Sequence, residues 1–172
     1  MEFSEENISY IISETIVTEE IFLKFDSSNS EARIQLRPMS LRRFESFHSP
    51  WFTMENLLSL NVETARVYST QLTSRDMNTF LKHWVQGGCG RLLEMYLELG
   101  LYMDVDFVQV LKGIDFQRVE QKEATEYFSD YLSGFVGTHG GFKIRRQSDG
   151  KVALLLDNRL KSSFFNLLVD CE

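Results

Sequence analysis

Hydrophobic and polar positions in this chain follow two spacings that alternate along its length. In TEEIFLKFDSSNSEARIQLRP, residues 18–38, two short apolar alternations flank the polar SSNS, and Ala32, Ile34 and Leu36 alternate with Arg33, Gln35 and Arg37. A period of two is the mark of a half-buried strand, so the pair predicts a hairpin ended by Pro38. From about residue 41 a rough strand-helix repeat follows. LRRFESFHS predicts a strand before the helix of WFTMENLLSLN; ETARVYS predicts a second before LTSRDMNTFLKHWVQG; RLLEMYLEL predicts a third before the shorter helix of DVDFVQVLKG. Within the second helix Met77, Phe80, Leu81 and Trp84 fall at i, i+3, i+4 and i+7, the spacing of a core-facing stripe. Thr73 can cap this helix with Asp76 at its third position, close to a capping box but without the preferred Glu or Gln.

These units, with Thr53 and Thr73 in matching places 20 residues apart, predict an α/β fold. It is read as irregular leucine-rich-repeat-like strand-helix units with flanking β-hairpins. The later residues change character again. QKEATEYFSDYL predicts a helix over about 121–132, GFVGTHGG a flexible connection, FKIRRQSDGKVALLLD a hairpin turning near Ser148, Asp149 and Gly150, and SSFFNLLVD a last strand. One domain is expected, with a possible division into an N-terminal hairpin region 1–40, a strand-helix region 41–132 and a C-terminal hairpin region 133–172.

Strand parity points to a surface. Leu93, Met95, Leu97 and Leu99 share one side of the third strand and Glu94, Tyr96 and Glu98 the other; Ala65 and Val67 oppose Arg66 and Tyr68 in the second. If the strands are neighbours, Arg66, Tyr68, Glu94, Tyr96 and Glu98 form one polar and aromatic row, a candidate protein-contact surface. The bland alternative is an ordinary solvated strand face.

Composition removes other readings. With 43% hydrophobic residues, including 14 Phe, the chain has material for a core without metal or disulfide staples. Cys89 and Cys171 stand far apart in no CxxC motif, which suits a reducing compartment. The first residues carry acids where a signal peptide needs bases, and no run approaches 18 apolar residues, so neither secretion nor a membrane span is expected. An intracellular protein is expected, in cytoplasm or nucleus. A net charge of −7 disfavours a nucleic-acid surface, although Arg33, Arg37, Arg42 and Arg43 gather behind an acidic start. Neither a metal nor a cofactor site is legible. His48, His83 and His139 lack partners at ligand spacing, and His83 falls at the edge of the apolar stripe. The dispersed Asp104, Asp106, Glu123, Glu126 and Asp130 form no acid-base pair, and neither GxxxxGK[ST] nor GxSxG occurs. An enzyme would need a site assembled across the fold.

The run WFTMENLLSLNVETARVYSTQLTSRDMNTFLKHWVQG, followed by RLLEMYLEL, resembles the F-box-associated domain of the large nematode F-box protein family. The resemblance rests on a helix ending Leu-Leu-x-Leu-Asn, a strand, Leu-Thr-Ser-x-Asp, a Phe-Leu-Lys-x-Trp helix and Arg-Leu before a strand. It implies scaffold roles for Leu57, Leu58, Leu60, Asn61, Leu72, Thr73, Asp76, Phe80, Leu81, Lys82 and Trp84. It also implies a protein-binding module that recruits substrates to an SCF-type ubiquitin ligase, with a partner the sequence does not identify. No Leu-Pro-led F-box pattern precedes the segment, so contact with the ligase adaptor is not expected from these residues. A constitutive structural subunit of a larger assembly stays open beside recruitment.

Overall fold

The computed structural model describes residues 19–24, 36, 40–100, 103–119, 125–129, 134–138, 140–157 and 163–169, of which 125–129 and 134–138 are described by backbone alone. The first strands are β1 (Glu20–Lys24) and β2 (Ser40–Phe47). Helix α1 (Met54–Ser59) leads to β3 (Asn61–Val67), and helix α2 (Ser74–Val85) to β4 (Glu94–Glu98). These four strands run parallel and in spatial sequence.

The repeat seen in the sequence has a physical basis in how β2 and β3 end. His48 (φ 52°) and Ser69 (φ 55°) both take the left-handed backbone region, which is disfavoured for residues with a Cβ. Each is followed by a buried hydroxyl residue whose N–H donates to the end of the next strand: Ser49 to the Tyr68 carbonyl (3.0 Å) and Thr70 to the Glu98 carbonyl (3.2 Å). A threonine then caps the helix. Thr53 Oγ1 accepts from the Asn56 N–H, and Thr73 Oγ1 from that of Asp76. Asp76 completes the capping box by accepting from the Thr73 N–H (2.8 Å) and hydroxyl (2.7 Å), so the shorter acid substitutes for the usual Glu. Such a cap contributes about 1 kcal/mol.

After β4 the repeat stops. Helix α3 (Phe107–Val110) is a single turn, capped by Asp106, whose Oδ1 accepts from the N–H of Val108 and Gln109. Asn78 of α2 holds it by donating to the carbonyls of Val110 (2.7 Å) and Lys112 (2.9 Å). Then come β5 (Phe116–Val119), β6 (Thr125–Ser129), β7 (Gly134–Thr138), β8 (Gly141–Arg145), β9 (Val152–Leu156) and β10 (Phe164–Val169). The main sheet has the order β1-β2-β3-β4-β10-β9-β8-β5, and every pairing from β4 onward is antiparallel. The protein is thus mixed α/β with an eight-stranded sheet, and the expected leucine-rich-repeat-like stack is not what forms. A solenoid needs each strand-helix unit to dock on the next in the same direction; here the last strand enters antiparallel against β4 and closes the series.

Three further expectations are corrected or limited. The sequence pattern predicts a helix over 121–132 and a flexible connection over 134–141; instead β6 and β7 pair antiparallel from Thr125↔Thr138 to Ser129↔Gly134. Aromatic and β-branched residues in TEYFS and GFVGT suit strands, and the pairing that decides the matter is invisible to helical periodicity. The first arm of the expected N-terminal hairpin is β1, but β1 pairs in parallel with β2, from Glu20↔Arg43 to Lys24↔Phe47. Its other arm lies outside the described residues except for Leu36, which is buried and donates its N–H to Asn56 Oδ1 (2.9 Å). The C-terminal hairpin and final strand form where the sequence places them, as β8, β9 and β10.

The principal core lies between the sheet and the helices. Phe44, Ala65, Met95, Leu167 and Leu155 stand in register across five strands on that face. Leu57 of α1 and Met77, Phe80, Leu81 and Trp84 of α2 are buried in the same cluster, as the stripe predicts. On the other face Val119, Leu154, Leu156 and Leu168 form a second, smaller cluster.

The turn between β8 and β9 fastens the C-terminal strands to α2. Arg146, only 1% exposed, sits over the Trp84 ring at 5.1 Å and bonds Asp149 through Nε (2.9 Å) and Nη2 (2.7 Å), while the Gln147 N–H donates to the Val85 carbonyl (2.8 Å). The guanidinium hydrogen bonds hold the Asp149 carboxyl down at about 2. A lowered carboxyl favours the folded state while ionised, so this contribution is complete above the ordinary value of 3.8 and is lost as pH falls through about 2. Urea midpoints followed from pH 6 to pH 2 should therefore fall more for the native chain than for Asp149→Asn. Parallel curves would show that the pair carries no pH dependence.

Candidate protein-contact face

The face of β2, β3, β4 and β10 opposite the helices carries a cross-strand row. Glu45 pairs with Arg66, Arg66 with Tyr96, and Tyr96 with Asn166, while Thr64 pairs with Glu94 in the neighbouring row. This is the juxtaposition parity predicts for Arg66, Tyr96 and Glu94, because β3 and β4 are indeed adjacent.

The five sequence-selected residues nevertheless divide in two. Arg66 (3% exposed) and Glu94 (5%) are buried, with Arg66 Nη2 3.5 Å from Glu94 Oε1. The guanidinium also lies over the Tyr96 ring, 4.7 Å from its centroid. The Tyr96 hydroxyl is pushed up to about 12, first by burial and then by the Glu94 carboxylate, to which it hydrogen-bonds. Arg66 and Glu94 therefore act from inside, holding the Tyr96 ring in place. Removing either would leave a buried charge without its ion-pair partner, a change that costs roughly 3–5 kcal/mol in comparable sites. Tyr68, Tyr96 and Glu98 are half-buried and reach the surface. Glu98 Oε2 accepts from the Ser69 N–H (2.8 Å) and hydroxyl (3.3 Å), which fixes the left-handed turn beside Tyr68.

Around this row the structure adds rings that sequence parity did not select. Phe47 stacks on Tyr68 at 4.7 Å with planes 6° apart. Phe22 meets Phe47 at 5.4 Å, and Phe164 meets Tyr68 edge-on at 6.3 Å. Four rings thus form a ladder along the C-terminal ends of the parallel strands, from Phe22, which is 64% exposed, to Phe164 on β10. Phe47 shares parity with Glu45 and was within reach of the sequence pattern. Phe22 and Phe164 join through pairings distant in the chain.

The remaining candidates take structural places. Leu57, Leu60, Leu72, Phe80, Leu81 and Trp84 are buried, and Leu58 packs against the same core. Asn61 opens β3 and donates to Ser40 Oγ (2.6 Å), Thr73 and Asp76 form the cap, and Lys82 is exposed beside Gly113. His83 lies against Gly88 so closely that a Cβ there would fall 1.9 Å from its Nε2. His48 is the exposed left-handed residue after β2, and His139 lies outside the described residues. Burial pushes the Cys89 thiol up to about 11, away from the thiolate that reactivity requires. Among the described residues there is no group of three or more His, Cys, Asp or Glu able to hold a metal, and no helix long and apolar enough to cross a membrane.

Residues 33–97 match the family described as F-box associated, a segment that takes in β2, α1, β3, α2 and most of β4. The chain is also similar to the E3 ubiquitin-protein ligase hecw-1 of Caenorhabditis elegans, with 34% identity over 99 residues. That similarity covers 52% of this chain and 8% of the relative, so the chain spans less than a tenth of the relative's length. No solved structure matches. Residues 33–97, the segment similar to the F-box-associated family, supply β2, β3 and most of β4, three of the four strands that carry the row.

Proposed function

We propose that this chain is a non-enzymatic protein-binding module, which selects a substrate for an SCF-type ubiquitin ligase inside the cell. The observation that carries the reading is the F-box-associated match over 33–97, a segment that includes Tyr68 and Tyr96 and ends one residue before Glu98. The ring ladder gives the reading a physical means. Half-exposed aromatics supply large contact area at low entropic cost, and Glu98, held by Ser69 beside Tyr68, supplies a polar group next to them. Because Arg66 and Glu94 are already packed and paired, the Tyr96 ring is held in position before a partner arrives.

The test is capture of the intact chain from cells, followed by detection of ligase components and of ubiquitin on the co-captured partner. Recruitment predicts both, with partner ubiquitylation falling when the chain is depleted. A partner retained without ligase components, and with ubiquitylation unchanged on depletion, would replace recruitment with a constitutive structural role.

A further inference from the structure

We propose that the outer edge of β5 is a second binding surface, which takes up an extended segment of a partner protein carrying an apolar and an acidic residue two positions apart. Strand β5 ends the eight-stranded order, and among the described residues no strand pairs with its far side. Three of its four residues are exposed. Native sheets usually cover such edges or guard them with charge, because a row of backbone donors and acceptors accepts any extended chain. Here the edge joins an apolar cluster. Phe116, 49% exposed, packs edge-on against Phe142 at 5.5 Å, and Phe142 meets Phe107 at 5.1 Å.

Register gives the occupant its chemistry. Phe116 pairs with Ile144 and Arg118 with Phe142, so Phe116 and Arg118 share the face that continues the principal core. An added strand presents residues i and i+2 to one face. It would set an apolar side chain against Phe116 and another beside Arg118, which is exposed and makes no ion pair among the described residues. A carboxylate satisfies that guanidinium. A second copy of this chain is the poorer occupant, because its own β5 would bring another Arg118 to the same edge. This is strand addition, in which backbone bonds give affinity and alternate side chains give selectivity.

The experiment titrates the intact chain with a fluorescein-labelled synthetic peptide of repeating Val-Thr-Glu-Thr, read by anisotropy. One control replaces each Glu by Lys; another is N-methylated at alternate backbone nitrogens. The wild-type chain should bind the Glu peptide about fivefold more tightly than the Lys peptide, the scale of one partly exposed charge contact. Arg118→Glu should reverse the preference, Arg118→Gln should erase it, and N-methylation should abolish binding. Tyr68→Ala should leave peptide binding unchanged, which separates this surface from the one under Proposed function. The proposal is overturned if the Glu peptide does not bind, if both charge versions bind equally to the wild-type chain, or if the N-methylated peptide binds as well. It is also overturned if sedimentation shows a dimer that Phe116→Ser dissolves, since the edge would then belong to a second copy.

Discussion

Replacing Trp84 by alanine should destabilise the chain by about 3–5 kcal/mol, the usual cost of emptying a fully buried aromatic site. Trp84 is the last member of the α2 stripe and has 0% exposure. Its ring also lies under the Arg146 guanidinium, and that arginine fixes the turn between β8 and β9 through Asp149. The substitution therefore removes core volume and loosens the junction between α2 and the C-terminal strands. Urea unfolding followed by far-ultraviolet circular dichroism measures the effect, and a loss below about 1 kcal/mol would be incompatible with a packed site. Trp84→Phe should lie between, because it keeps a ring beneath Arg146 while leaving part of the volume empty.

The second large effect comes from a glycine. At the start of β8, a Cβ on Gly141 would lie 2.2 Å from the Leu155 carbonyl oxygen, a backbone atom of the neighbouring strand. A flexible side chain could swing away from such a contact; a sheet carbonyl cannot without moving its strand. Gly141→Ala should therefore cost about 1–3 kcal/mol as an overpacked site. Gly90→Ala is the matched control, since nothing lies within 4 Å of its added Cβ. It should change stability by no more than about 0.5 kcal/mol. Equal unfolding midpoints for the two variants would contradict the close approach of β8 and β9.

How much of this was readable in advance depended on the range of the interaction concerned. Helix α2 was legible because its cap, its stripe and its end are all local: Thr73 with Asp76, then Met77, Phe80, Leu81 and Trp84. The β8–β9 hairpin was legible for the same reason, as its turn residues Asp149 and Gly150 sit between its own strands. The strand β6 was not, because its partner decides its conformation and TEYFS fits a short helix as readily on pattern alone. Nor could the sequence show that β10 returns antiparallel against β4, which ends the repeat. The contact row was half legible. Parity placed Arg66, Tyr96 and Glu94 together, but it did not show that Arg66 and Glu94 would be enclosed, or that Phe22 and Phe164 would extend the aromatic rim. Burial of a charged pair depends on neighbours from several strands, which no single stretch of sequence records.

The division between enclosed and exposed members decides how the binding surface should be probed. Arg66, Glu94 and Tyr96 are coupled to one another, so changing them confounds binding with stability. Phe22 is mostly exposed and Tyr68 half-buried, so their truncation reports on the rim more directly. The decisive measurement is quantitative affinity capture of the wild-type chain and of Phe22→Ala/Tyr68→Ala, with unfolding midpoints showing that both are folded. If the ladder seats the partner, the partner-to-chain ratio should fall about tenfold or more, as expected when aromatic anchors are lost. The same partners at an unchanged ratio, on a folded variant, would contradict the assignment of this rim as the binding surface.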